Sequence, residues 1–175
     1  MGESVILTGP MGSGKTSIGQ LLSAQLGYEF IDLDALIVEK VGKSINQLFA
    51  DEGEISFRDH ESSVLSALVG QQNIVLSTGG GVVIREQNRQ QLHALGLVVN
   101  LTASVKELAK RLLKVTDRPL LTGDEPLEAR IERIMIDREQ FYADADIRID
   151  TTGKTLEDVA AIILSFCMKR RLRTR

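Results

Sequence analysis

The octapeptide Gly9-Pro10-Met11-Gly12-Ser13-Gly14-Lys15-Thr16 constrains this chain more than any other stretch, because it meets the pattern G-x-x-x-x-G-K-[ST] at every position. Backbone N–H groups can wrap a phosphate chain only where side chains do not block the approach, so glycines belong at its bends. The pattern has meaning only between a strand and a helix. Val5-Ile6-Leu7-Thr8 is an apolar run of strand type, and Ile18, Leu21 and Leu22 then recur at helical spacing until Gly27 supplies a stop. Strand, loop and helix together imply an anion site at a helix N-terminus, of the kind that takes a nucleoside triphosphate. Gly12, Ser13, Gly14, Lys15, Thr16 and Ser17 are its candidate residues. In such a loop the lysine reaches the β- and γ-phosphates and the threonine hydroxyl faces Mg²⁺.

Downstream, apolar runs and helical periods alternate. Strands are predicted at 28–32, 74–77, 97–101 and 147–150. Between them, Ser44-Ile45-Asn46-Gln47 has capping-box form and opens a helix that Gly53 interrupts before a second helical stretch at 54–69. Further helices are predicted at 86–95, 104–114 and 127–145. A last one follows Thr155, with Val159, Ile162, Ile163 and Phe166 as its apolar stripe. Five strands alternating with helices predict an α/β fold of three layers around a parallel sheet, and 175 residues suit one domain.

Several polar residues stand out against this frame. Asp32 and Asp34 leave the end of the second strand two residues apart, so both can face a ligand above the sheet edge, where ligands of open α/β sheets bind. Asp34 also stands where a helix beginning at Ala35 would take its N-cap, and Asp32 is either a magnesium-site acid or a solvated loop acid. Arg58 and Glu61 fall on a helix face that is turning apolar, as an ordinary i,i+3 pair or as part of a site. Gly79-Gly80-Gly81 follows the third strand, which implies either close approach of backbone to a ligand or a tight turn. Arg138 shares a stripe with Ile131, Ile134, Phe141 and Tyr142, so an internal carboxylate or a bound anion must answer it. Residues 116–126 hold two of the three prolines and have no period, as in a lid, with Arg118 placed to enter a closed site. His93 has no second ligand nearby and His60 reads as solvated, so neither suggests a metal.

Bulk properties narrow the class. One cysteine, Cys167, on the buried side of the last helix, rules out a disulfide framework and points to a reducing setting. No basic-then-apolar leader and no membrane-length apolar run is present, so a soluble cytoplasmic protein is expected, without a membrane partner. Five of the 21 lysines and arginines crowd into 169–175, so the rest of the chain is more acidic than the formal charge of −3 suggests. An acidic body argues against nucleic acid as a partner, and the basic tail is expected to be frayed and solvated.

The phosphate loop, Asp32-Leu33-Asp34, Phe57-Arg58-Asp59-His60-Glu61, the triple glycine, Arg118-Pro119-Leu120-Leu121 and Arg138 together resemble shikimate kinase in order and spacing over nearly the whole chain. The resemblance implies a single P-loop kinase domain at 1–168, with sheet order 2-3-1-4-5, a shikimate-binding helical region at about 34–62, a lid at about 115–126 and a basic tail at 169–175. It implies phosphoryl transfer from ATP, with Mg²⁺, to the 3-hydroxyl of shikimate by a monomer. Asp34, Lys15 and Arg118 would be catalytic, with Asp34 holding the substrate hydroxyls and taking the proton. Arg58, Gly79, Gly80, Gly81 and Arg138 would grip shikimate, and Glu61 would orient Arg58. Thr16 and Asp32, with Ser77 through water, would hold the metal. Arg111 and Arg118 would join the ATP site, with Thr152-Gly153-Lys154 as the adenine loop. That loop lacks the Arg or Asn often found in the family. The rival readings are a kinase of another polyol acid such as gluconate, a nucleoside monophosphate kinase, and a nucleotide-dependent binding module without chemistry.

Overall fold

The computed structural model describes residues 3–113 and 125–173. Five strands form one parallel sheet: β1 (Ser4–Thr8), β2 (Glu29–Asp32), β3 (Ile74–Ser77), β4 (Gly96–Thr102) and β5 (Ile147–Asp150), in the order β2-β3-β1-β4-β5. Among them run α1 (Lys15–Leu26), α2 (Leu33–Val41), α3 (Ile45–Leu68), α4 (Glu86–Leu95), α5 (Val105–Leu112), α6 (Leu127–Tyr142) and α7 (Leu156–Arg173). A 3-10 turn at Val82–Ile84 precedes α4.

Strand side chains alternate between the two faces of the sheet, and both faces are buried, so the strands read as continuous apolar runs. Val5, Leu7, Val75, Leu97, Val99 and Leu101 point to the side of α1 and α7, where Ile18, Leu22, Val159 and Ile163 meet them. Ile6, Ile74, Leu76 and Val98 point to the opposite side, against Ile37, Leu65 and Leu92 from α2, α3 and α4. A smaller cluster joins Leu108 and Leu112 of α5 to Ile131 of α6.

Register matters most for the site. Leu7 and Asp32 both pair with Ser77, so β1, β3 and β2 end at one level. The phosphate loop, the acid pair and the triple glycine therefore leave the sheet side by side. The Thr78 hydroxyl donates to the Leu7 carbonyl at 2.9 Å and ties the root of the glycine turn to the strand that carries the phosphate loop.

Several local expectations change in the folded chain. The N-cap of α2 is Asp32, whose Oδ1 accepts from the Asp34 and Ala35 N–H groups at 3.0 and 3.2 Å; Asp34 is inside the helix. The two helical stretches around Gly53 are continuous in α3 but for that residue, which has φ 81 and ψ 175. Helix α6 stops at Tyr142, three residues short of the expected end. In α7 the buried positions are Val159, Ala160 and Ile163, with Ile162 exposed, because the sheet meets a face turned by one residue. Residues 169–173 continue α7, and Arg170 is held by Glu3 at 3.1 Å and Asp146 at 3.0 Å, which a frayed tail would not permit. His60 is half-buried with Nε2 3.6 Å from Glu52. Glu52 also accepts from Ser56 and Lys43, which hold its carboxyl down at about 2.

Candidate active site

The phosphate loop closes over the end of β1. Gly14 is the N-cap of α1 with φ 97, in the left-handed region that favours glycine. Lys15 is buried, and its ammonium donates to the Gly9 and Pro10 carbonyls at 2.8 Å each, so it lies against the loop's own backbone. Ser13 is fully buried, whereas Thr16 and Ser17 are exposed at the mouth. The Thr16 hydroxyl donates to Asp32 Oδ2 at 3.2 Å and lies 3.4 Å from Ser77 Oγ. One carboxylate and two hydroxyls at a phosphate loop are hard oxygen donors, which suit Mg²⁺. Among the described residues no cluster of three or more His, Cys, Asp or Glu forms a metal site.

A cleft of about 840 Å³ spans this region and is lined by Lys15, Thr16, Asp32, Asp34, Ser77 and Arg111 among others. Arg111 is held in place on all sides. Its Nε donates to Glu107 at 2.9 Å, one terminal nitrogen to the Gly12 carbonyl and the Thr151 hydroxyl at 3.1 Å each, and the other to the Thr151 carbonyl at 3.3 Å. With its donors used in the plane, a flat face is what the guanidinium has left to offer a ligand.

A second pocket shares Met11, Asp34, Ile45, Gly79 and Gly80 with the cleft and extends to Phe49, Phe57, Arg58, Glu61, Gly81 and Arg138. Arg58 is 7% exposed and Glu61 0%, with Arg58 donating to Glu61 Oε2 at 2.8 Å and to Glu54 at 3.0 Å. The pair is no ordinary surface contact. Burial pushes the Glu61 carboxyl up, opposed by Arg58, and the charge on Asp34 adds to the rise. Burial works against charge on Arg58, and Glu61 and Glu54 more than offset it. Among the described residues Glu61 Oε1, which is buried, has no hydrogen-bond partner. Arg138 is 8% exposed, and among the described residues no carboxylate forms an ion pair with it. The Glu61 charge acts on it from a distance, and a bound anion would meet it directly.

The triple glycine serves close packing. An added Cβ would stand 2.8 Å from Asp34 Oδ1 at Gly79, and 2.3 Å from an Arg58 nitrogen at Gly81. Gly80 lies between the Gly9 carbonyl and Arg138, with its own carbonyl accepting from the Tyr142 hydroxyl at 2.7 Å. Neither sequence alternative named this cause, since the site's own side chains fill the space. Arg118, and the expected lid as far as residue 124, lie outside the described residues.

The family description "Shikimate kinase" matches residues 11–168. The chain belongs to the shikimate kinase family. A shikimate kinase of Geobacter metallireducens is 53% identical over 94% of this chain and 91% of its own length, and that of Geobacter sulfurreducens is 50% identical over the same shares. Among solved structures, shikimate kinase from Acinetobacter baumannii in complex with shikimate superposes with a TM-score of 0.93 at 35% identity, over 98% of this chain and 96% of that one. Sheet order 2-3-1-4-5 agrees with what the resemblance to shikimate kinase implies. No described helix is long and apolar enough to cross a membrane.

Reading the sequence as a shikimate kinase missed two residues. Tyr142 stood there only as part of an apolar stripe, and Thr151 did not stand out at all. Thr151 is 2% exposed, and its hydroxyl meets Arg111, the Thr102 carbonyl at 3.0 Å and the Ser13 carbonyl at 3.4 Å. A hydroxyl that joins segments 49 and 138 residues apart leaves no local pattern to read.

Proposed function

We propose that the protein transfers the γ-phosphoryl group of ATP to the 3-hydroxyl of shikimate, giving shikimate 3-phosphate and ADP, a step toward aromatic amino acids. The observation that carries this reading is the shared wall of the two pockets. Asp34, Gly79 and Gly80 line both the cleft over the phosphate loop and the pocket holding Arg58 and Arg138. A rigid hydroxy acid whose carboxylate lies on the two arginines can then present a hydroxyl to Asp34 on the side of the phosphates.

In the reaction, the backbone N–H groups of Gly12, Ser13, Gly14, Lys15, Thr16 and Ser17 cradle the phosphate chain. The Arg111 face stacks on adenine beside Thr152-Gly153-Lys154. Arg58 and Arg138 fix the shikimate carboxylate, Glu61 holds Arg58, and the backbone of Gly79, Gly80 and Gly81 completes the wall. Asp34 Oδ takes the proton of the 3-hydroxyl as its oxygen bonds to the γ-phosphorus. The bond from phosphorus to the β,γ-bridging oxygen breaks, and ADP leaves with that electron pair. Lys15 leaves the loop carbonyls for the phosphates, and with Arg118 from the lid it balances charge on the transferred group. Thr16 and Asp32 hold Mg²⁺, which when bound neutralises phosphate charge. Closing the 115–126 lid keeps water from the γ-phosphate. We place this enzyme, a single domain over 1–168, in the cytoplasm as a monomer.

The test is a coupled ADP-release assay with ATP and Mg²⁺, offering shikimate, gluconate and a nucleoside monophosphate in turn, and repeated with Asp34→Asn. Release that requires shikimate and disappears in Asp34→Asn is the expected result. Release with gluconate instead, or none with any acceptor despite tight ATP binding, overturns the reading.

A further inference from the structure

We infer that Tyr142 is a positioning residue of the acid-binding half, its hydroxyl holding the Gly80 carbonyl and Arg138 at a fixed spacing. The inference rests on the proposed binding of a hydroxy acid between those two elements.

Tyr142 is 3% exposed and lies at the end of α6, one helical turn after Arg138 and on the same face. Its hydroxyl donates to the Gly80 carbonyl at 2.7 Å across 62 residues of chain. Its ring belongs to the apolar cluster with Val82, Val83 and Leu92, which fixes the phenol from behind. Burial pushes the phenol up from its ordinary value, with Arg138 beside it and Arg58 opposing in part. At neutral pH it therefore stays a donor.

Three consecutive glycines have more backbone freedom than any other tripeptide, and no side chain of their own can restrict it. A hydrogen bond to the central carbonyl sets the plane of the Gly80–Gly81 peptide, and with it the direction of the Gly81 N–H. Arg138 reaches the same place from α6: its terminal nitrogen and the Tyr142 hydroxyl would lie 3.6 and 3.5 Å from a Cβ built at Gly80, with the Glu61 charge acting on it from α3. One phenol stands against both elements. An error of about 1 Å in such spacing is enough to spoil a reacting geometry.

An ordinary core tyrosine with a satisfied hydroxyl would look similar in packing but would act on stability alone. Tyr142→Phe keeps the ring and removes the hydroxyl. We expect it to raise KM for shikimate roughly 3- to 10-fold, as for loss of one buried hydrogen bond, with KM for ATP changed less than about 2-fold. Introduced into Arg138→Ala, the same substitution should weaken shikimate binding, read by calorimetry, less than about 2-fold, since the spacing it guards is already lost. The chain has two tyrosines, so fluorotyrosine incorporated into Tyr28→Phe reports position 142 alone in the otherwise native enzyme. Its ¹⁹F resonance should shift with shikimate and stay put with gluconate. Equal rises in both KM values with a lower Tm, an unchanged shikimate KM, additive losses in the Arg138→Ala chain, or a ¹⁹F signal blind to shikimate would each overturn the inference. Absence of shikimate-dependent ADP release from the unsubstituted protein would instead overturn the reaction proposed above.

Discussion

Two glycine-rich turns leave the sheet side by side, and they use glycine for opposite reasons. In the phosphate loop, Gly9, Gly12 and Gly14 have φ of 133, 79 and 97. These are backbone shapes that other residues adopt only under strain. In the second turn, Gly79, Gly80 and Gly81 are absent from the positive-φ set. At Gly79 and Gly81 the lack of a side chain leaves room for Asp34, Glu61 and Arg58, whose atoms crowd the places a Cβ would take. The first turn owes its path to backbone angles that only glycine adopts without strain. The second is pared back so that neighbouring side chains can converge. A substitution in the first should therefore damage the backbone, and one in the second should damage recognition.

Gly9→Ala is the most severe way to test the difference. The new Cβ would combine a φ of 133 with a 2.0 Å approach to the Leu101 carbonyl oxygen, a backbone atom that cannot step aside. A loss of about 3–5 kcal/mol in denaturant unfolding is expected. Arg138→Ala comes next and leaves both turns intact. It should lower kcat/KM for shikimate roughly 100-fold, about 3 kcal/mol, while ATP binding changes less than about 2-fold. Equal loss of both would make Arg138 a structural residue and blur the division into halves. Gly81→Ala should sharpen the division. Its Cβ would displace the Arg58 guanidinium, so stability should fall by about 1–2 kcal/mol while KM for shikimate rises about tenfold and KM for ATP holds. Ser13→Ala should matter least: its hydroxyl is buried with no hydrogen-bond partner among the described residues, so unfolding should change by less than about 0.5 kcal/mol.

What the sequence disclosed follows physical range. Strands such as Ile74–Ser77 and helices such as Glu86–Leu95 were legible because local apolar runs and periods determine them. Arg58 and Glu61 were legible as a pair, three residues apart on one helix. Their depth of burial was not, because it depends on Gly79 and Gly81, which follow β3. Asp32 as the cap of α2 was missed by two residues, since a strand that turns directly into a helix leaves no loop residue to mark the boundary. Thr151 and Tyr142 act through carbonyls, and a carbonyl partner has no sequence identity to search for. The basic end of α7 misled by composition, since the partners that order Arg170, Glu3 and Asp146, lie elsewhere in the chain.

The Asp32 carboxylate is engaged at both of its oxygens. One of its oxygens closes the first turn of α2 while the other faces Thr16, so the carboxylate is clamped by a helix whether or not a cation is near. On the metal role proposed for Asp32, an arriving Mg²⁺ would meet an acid already aimed. The same clamp makes the position intolerant of lengthening. Asp32→Glu could keep its negative charge only by giving up either the helix end or the reach to Thr16, so charge alone would not preserve the site.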